Sequence, residues 1–161
     1  MSVIDVDALL AELTADAPCG DNLEYDLAYG ELERACAGKP EQQFGNTIIP
    51  AEEPDWGAVK RQAVALAQRT KDLRVAATLV QALICTDGYA GLCDAVALIR
   101  GYVERYWATV HPQLDPDDAN DPTLRVNTLV ALCDGDTTVR MLKRAPLVKS
   151  RAMGRVSLFD W

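Results

Sequence analysis

The chain has 161 residues, 49% of them apolar and 25% charged, with a net charge of −8. That balance fits one globular domain with a buried core and excludes a disordered chain, which would combine low hydrophobicity with high net charge. It also argues against a nucleic-acid binder, which needs a basic surface to neutralise phosphates.

In chain order, residues 5–13 read as a short helix with Asp5 or Asp7 as N-cap and Leu9, Leu10 and Leu13 on its apolar face. Asp16, Pro18, Gly20 and Asn22 mark a turn over 14–22. A second helix is predicted over 23–37, with Leu27, Leu32, Ala35 and Cys36 available for burial and Gly38 and Pro40 as its stop. Residues 38–54 form the longest irregular stretch, a length that in compact domains is functional or mobile. Its Ile48-Ile49 pair predicts that part of it packs down.

An amphipathic helix follows over 55–70, capped by Asp55, with Trp56, Val59, Ala63 and Leu66 on one face. After almost no gap, Asp72 opens a helix over 72–86 that is apolar nearly all round and stops at Gly88, the pattern of a central, buried helix. The longest helix spans 90–110, with Leu92, Val96, Ile99, Val103, Tyr106 and Val110 at helical spacing and Pro112 beyond its end. Asp121 caps a further helix, with Pro122 at its first position, running to about Cys133. A shorter one over 136–144 starts at Asp136 or Thr137 and ends before Pro146. The tail has extended character over 155–159. Short connections at 70–72 and 87–90 imply antiparallel neighbours. The expected fold class is therefore all-α: one domain over 1–161, an antiparallel helical bundle of about six to seven helices, with a partly extended basic tail from 145.

Charge is unevenly placed. Residues 1–55 hold 13 acidic and 2 basic side chains, and residues 56–110 hold 4 and 7. Beyond them, Arg140, Lys143, Arg144, Lys149, Arg151 and Arg155 occur with no acidic residue from 137 to 159. Two arrangements fit: the tail docks on the acidic front of the same molecule, or one end faces a partner of opposite charge. The first is favoured, because charge runs are usually solvated faces.

The five cysteines are odd in number and match no zinc spacing, which suggests a reducing compartment. The first basic residue is Arg34, and acidic residues interrupt the first twenty, so no signal peptide is read. No segment is read as approaching the about 20 apolar residues of a membrane span. A cytoplasmic protein is expected.

Candidate chemistry is sparse. His111, the one histidine, lies between Val110 and Pro112 at a predicted helix end, where capping and packing beside Trp107 account for it better than catalysis. Asp115, Asp117, Asp118, Asn120 and Asp121 supply hard oxygen donors but lack the glycine and glutamate of an EF-hand loop. A small metal-dependent hydrolase using His111 and the 115–121 aspartates is the alternative to a binding protein. No nucleophile elbow, P-loop or dinucleotide fingerprint is present. The expectation is no enzyme activity, no metal and no cofactor.

Four strings together are more specific. They are Pro18-Cys19-Gly20-Asp21-Asn22-Leu23-Glu24-Tyr25-Asp26; Pro54-Asp55-Trp56 with Thr70-Lys71-Asp72-Leu73-Arg74; Arg105-Tyr106-Trp107 through His111-Pro112-Gln113-Leu114-Asp115-Pro116-Asp117-Asp118 to Asn120-Asp121-Pro122-Thr123; and Ala145-Pro146-Leu147-Val148 with Gly154-Arg155-Val156-Ser157-Leu158. Over nearly the whole chain they resemble the ImpA-related N-terminal domains of the TssA family, baseplate-associated proteins of the bacterial type VI secretion system. Thr70 stands where the family would have Ser, and Ala119 where Gly is common.

The resemblance implies a non-enzymatic cytoplasmic adaptor or scaffold, recruited to the membrane-associated baseplate. Its partners would be baseplate, sheath or tube components, without nucleic acid or membrane insertion. It also implies homo-oligomerisation through a C-terminal region beyond Trp161. Candidate partner-binding residues are Gln43 and Phe44 in the 38–54 loop, Asp117 and Asp118 in the acidic loop, and Lys143, Arg144, Lys149 and Arg151 in the basic tail. The motif residues Gly20, Asp21, Tyr25, Asp55, Trp56, Asp72, Arg74, Tyr106, Trp107, His111, Pro112, Asp121 and Pro122 are read mainly as structural. In that reading Trp56, Tyr106 and Trp107 anchor the core, and Arg74 and Arg125 pair with Asp21, Asp26 or the 115–121 aspartates.

Overall fold

A reversal at Gly88 organises the fold. In this computed structural model, residues 2–39, 42–44, 47–152 and 154–160 are described, without the side chains of Phe44, Thr47 and Lys149. Helix α4 (Leu73–Tyr106) contains one non-helical residue, Gly88, at φ 65 and ψ −139. That conformation is open to glycine because it has no Cβ. A Cβ on Gly91 would fall 2.5 Å from the Leu83 carbonyl oxygen. Eight residues along an unbroken helix span about 12 Å, so the chain doubles back at Gly88 and the two arms of α4 pack together. Sequence placed a loop at 87–90; glycine geometry makes the turn without one.

The first arm is the core. Leu73, Val75, Ala76, Leu79, Val80, Ala82, Leu83 and Ile84 are all buried. Helix α3 (Trp56–Ala67) packs on it through Val59, Ala63 and Leu66, and α2 (Leu27–Ala37) packs on α3. The short α1 (Val6–Leu10) lies on α4. By length and composition α4 could cross a membrane, which corrects the expectation that no segment approaches that size. Its reversal and its neighbours account for the apolar run as core.

The chain is mostly helical but not an all-α bundle. A hairpin, β1 (Gln42–Phe44) with β2 (Thr47–Ile49), occupies the stretch predicted to be irregular. Ile48 and Ile49 are exposed on it, so that pair does not pack down. A second hairpin, β3 (Pro146–Ser150) with β4 (Gly154–Ser157), forms the tail. Helix α5 (Thr123–Val130) and helix α6 (Thr138–Arg144) complete the helices.

Several boundaries shift for local reasons. The second helix starts at Leu27, not 23, because Asp26 takes the cap by accepting from the Ala28 amide. Asp121 accepts from the Thr123 amide and hydroxyl, so α5 opens one residue later than its proline suggested. Asp134, rather than Asp136 or Thr137, accepts the amides that precede α6. Tyr25 is 95% exposed, and Leu27 and Val96 also face outward.

The connector between α3 and α4 is threaded through the interior. Thr70, Lys71 and Asp72 are buried. The Lys71 amide donates to the Cys19 carbonyl at 2.8 Å, the His111 amide to the Lys71 carbonyl at 3.0 Å, and the Leu73 amide to the His111 carbonyl at 2.9 Å. Three distant strings of the sequence therefore run side by side here, their buried backbone groups paired as burial requires. Gly20, at φ 69, pairs with Thr70 so closely that a Cβ would sit 2.4 Å from the Arg69 carbonyl oxygen.

Two buried cations brace this crossing, and carbonyls receive both. Lys71 Nζ donates to the Leu9 and Ala11 carbonyls at 3.1 and 2.6 Å, and Tyr106 Oη donates to the Leu10 carbonyl at 2.6 Å. These are the orphan acceptors at the C-terminal end of α1, where a cation is favoured. Arg125 donates to the Pro112 carbonyl at 2.7 Å, to the Val110 carbonyl at 2.6 Å and to the Trp107 carbonyl, all just beyond the end of α4. Its guanidinium lies 4.9 Å from the Trp107 ring centre. Arg125 thus pairs with no 115–121 aspartate, contrary to the sequence reading. Trp107, 39% exposed, is a plate over Arg125 rather than a core anchor.

Arg125 is the one fully buried residue of α5, so it fastens that helix to α4. Arg125→Met should lower unfolding stability by roughly 2–4 kcal/mol through unpaired buried carbonyls, measured as a urea midpoint shift. A loss below half a kcal/mol would show that the carbonyls are solvated without it.

Burial pushes the Lys71 ammonium below its ordinary value. Between the folded value and the unfolded value of about 10.4, the unfolded chain binds more protons, so stability rises with pH across that window. Unfolding free energies of the parent chain and Lys71→Met should therefore diverge in favour of the parent at alkaline pH. A difference flat with pH would mean the amine is not desolvated.

Candidate interaction surface

The sequence-predicted residues separate into a buried frame and exposed surfaces. In the frame, Asp72 is 1% exposed; its Oδ1 accepts the Arg74 amide at 2.8 Å, and its Oδ2 pairs with the Arg74 guanidinium at 2.7 Å. Arg74 also reaches Glu24 at 3.2 Å and stacks 5.3 Å from the Tyr29 ring centre. Its carboxylates are therefore Asp72 and Glu24, not Asp21 or Asp26. Asp26 pairs instead with Arg69 at 2.6 Å, and that pair holds its carboxyl below the usual range. Asp21 contributes its carbonyl, which accepts from the Thr70 hydroxyl at 2.7 Å. Asp55 caps α3 by accepting from the Ala58 amide, and Trp56 is half-buried against the core.

His111 is not at a helix end, since α4 stops at Tyr106. Its buried ring meets the Gly20 carbonyl through Nε2 at 3.0 Å, and the bond from His111 to the buried Pro112 is cis. The aspartates of 115–121 do not join it. Asp115 accepts from the Asp117 amide and opens a single 3-10 turn over Pro116–Asp118, and Asp121 opens α5. Among the described residues no three His, Cys, Asp or Glu side chains gather to hold a metal. The arrangement a metal-dependent hydrolase would need is not assembled.

The candidate partner-binding residues lie apart. Gln43 is exposed on β1, and Asp117 and Asp118 are exposed on the 3-10 turn. Lys143 and Arg144 are exposed in the last turn of α6, and Arg151 in the β3–β4 turn. The Phe44 and Lys149 side chains lie outside the described residues.

Among these candidates the structure carries Arg144 into a cleft. The cleft, about 260 Å³, is lined by Trp56, Ile84, Met141 and Pro146, with Arg144, Arg155 and Glu53 as its charged groups. The Arg144 guanidinium lies 5.4 Å from the Phe159 ring centre. Sequence flagged this region only as a basic run; its apolar floor comes from three separate segments. A larger apolar groove of about 440 Å³ opens between α1 and α3, lined by Val3, Ile4, Ala8, Leu9, Val64 and Ala65, with Lys60 and Arg61 among its polar residues. No sequence motif marked it.

Ion pairing shows where the acidic front is neutralised. Among the described residues, the ion pairs lie between residues 24 and 104: Asp26–Arg69, Glu24–Arg74, Asp72–Arg74, Lys39–Glu52, Lys60–Asp87 and Arg100–Glu104. Among the described residues the front pairs with itself and with the middle of the chain, not with the basic tail.

The fold is that of a mostly helical domain braced by buried cations on backbone carbonyls, with charged surfaces outside. The family model described as ImpA, N-terminal, type VI secretion system matches residues 10–134, and the chain belongs to that family. It is 47% identical over 156 residues to the type VI secretion system component TssA1 of Pseudomonas aeruginosa, a match covering 97% of this chain and 45% of that protein. It also matches the solved N-terminal domain, including the conserved ImpA_N region, of the TssA component from Burkholderia cenocepacia. That match has a TM-score of 0.77 and 30% identity and covers 100% of this chain and 58% of the other. The chain thus spans less than half the length of its curated relative.

The backbone at Ala119 favours glycine. Ala119 sits at φ 51, followed by Asn120 at φ 56. An alanine in the left-handed region is strained by about 1–2 kcal/mol. Ala119→Gly should therefore raise stability, by about 0.5–1 kcal/mol after the glycine's unfolded-state entropy is subtracted. A lowered urea midpoint would contradict that strain.

Proposed function

We propose that this chain is a non-enzymatic adaptor of a bacterial type VI secretion system, a single cytoplasmic module that binds baseplate, sheath or tube components during assembly. The observation that carries the reading is the engagement of the buried charged side chains. Lys71 and Arg125 bond backbone carbonyls and Asp72 bonds Arg74, while His111 is held through Nε2 alone, its Nδ1 having no partner among the described residues. Groups held in this way brace a fold and are not poised for proton transfer or nucleophilic attack. Membership of the ImpA N-terminal family supports the secretion-system assignment.

The binding surfaces in this reading are the β1–β2 hairpin around Gln43 and Phe44, the acidic turn at Asp117 and Asp118, and the tail residues Lys143, Arg144, Lys149 and Arg151. Homo-oligomerisation would belong to the C-terminal region that longer relatives carry. Nucleic acid is disfavoured as a partner by the net charge of −8.

The immobilised chain, presented with purified baseplate, sheath and tube components, should retain at least one of them. Charge reversal at Lys143, Arg144 and Lys149, or deletion of 41–49, should release it. Retention of nothing by the parent chain would end the adaptor reading. Retention by both variants would move the surface elsewhere.

A further inference from the structure

We propose that the cleft between α6, the β3–β4 hairpin and the α3–α4 pair docks a partner-protein segment in which an apolar side chain is flanked by aspartate or glutamate. This rests on the adaptor reading and specifies the chemistry of one partner.

The charge on this surface has no ion-pair partner among the described residues. The sequence holds 24 acidic against 16 basic residues, so carboxylates are in surplus. Arg140, Lys143, Arg144, Arg151 and Arg155 are nevertheless exposed, and none belongs to an ion pair among the described residues. Between residues 137 and 159 the sequence holds no acidic side chain, and Asp160 just beyond is engaged by the Ser157 amide and hydroxyl. Glu53 is the one carboxylate lining the cleft, against Arg144 and Arg155. The rim therefore remains positive and complements an acidic segment.

The floor supplies the apolar half. Trp56, Ile84, Met141 and Pro146 line it, and Leu147, Val148, Leu158 and Phe159 are exposed on the same tail. At about 260 Å³ the cleft is smaller than the about 300–1,000 Å³ typical of sites for whole small molecules, and suits side chains of a docked segment. Stacking on Phe159 holds the Arg144 guanidinium at the rim, so less side-chain entropy is lost when it meets a carboxylate.

A protein partner is favoured over a polyanionic surface. The net charge of −8 repels nucleic acid and anionic membranes at long range, whereas a short acidic segment responds to the local rim. Arg144 and Arg155 lie outside the stretch 10–134 that the family model matches.

A fluorescently labelled peptide alternating aspartate and leucine is the probe, titrated into the full chain and followed by anisotropy. Its lysine-for-aspartate counterpart and phosphatidylserine vesicles are the comparisons. The acidic peptide should bind saturably and the comparisons should not. Arg144→Glu with Arg155→Glu should weaken binding about tenfold, and Glu53→Gln should tighten it about two- to threefold. The Glu53→Gln gain is an effect that misfolding cannot imitate. An acidic peptide that does not bind, or binds all variants alike, would overturn the proposal. Vesicle binding lost with the two arginines would overturn it in favour of a membrane surface. Component capture that survives both arginine reversals would defeat the cleft and leave the adaptor reading standing, whereas failure of capture by the parent chain would defeat the adaptor reading itself.

Discussion

Everything else in this molecule is arranged around a connector that most folds would leave on the surface. Residues 70–72 pass through the interior between the Gly20 turn and the His111 segment. A buried connector carries polar backbone groups that must be paired, and here two other loops pair them. That crossing fixes the start of α4, the direction of α1 and the position where the chain leaves α4.

The two buried cations follow from the same constraint. Helix ends brought into the interior expose carbonyls that water can no longer reach. Lys71 serves the end of α1 and Arg125 the end of α4. A carboxylate at either place would form a buried ion pair but leave the carbonyls unpaired, and desolvation of two charges can exceed their attraction. Carbonyl dipoles, with the rings of Tyr102, Tyr106 and Trp107 nearby, offset part of each cation's desolvation without a second buried charge.

The helices were legible because apolar spacing and caps are local signals. Asp55 and Asp72 mark the starts of α3 and α4 in the sequence and in the structure. The partners of Arg74 and Arg125 were not legible. Sequence offers aspartates as the obvious counterions, whereas the groups that matter for Arg125 are carbonyls, which every residue has and no composition reveals. The β1–β2 hairpin was missed, and the extended tail was read without its pairing, for a related reason. Strands of three to five residues carry no alternation long enough to read. The basic run was visible, but the apolar floor beneath it draws Trp56, Ile84 and Met141 from segments far apart in the chain.

This division of labour bears on what the charged residues can do. The motif strings that carry the family resemblance are largely engaged inside: Gly20 in a turn closed to other residues, Asp72 on Arg74, His111 on a carbonyl. A residue committed to an internal bond cannot also choose a partner without loosening the frame. In the proposed adaptor reading, recognition falls to positions that the frame does not use, such as the exposed Arg140, Lys143, Arg144 and Arg151. They project from α6 and a hairpin that pack on the core through few buried residues, Thr138, Ala145 and Ser157 among them. Substitution there changes surface charge at little cost in stability, because exposed charges contribute only tenths of a kcal/mol to about 1 kcal/mol each.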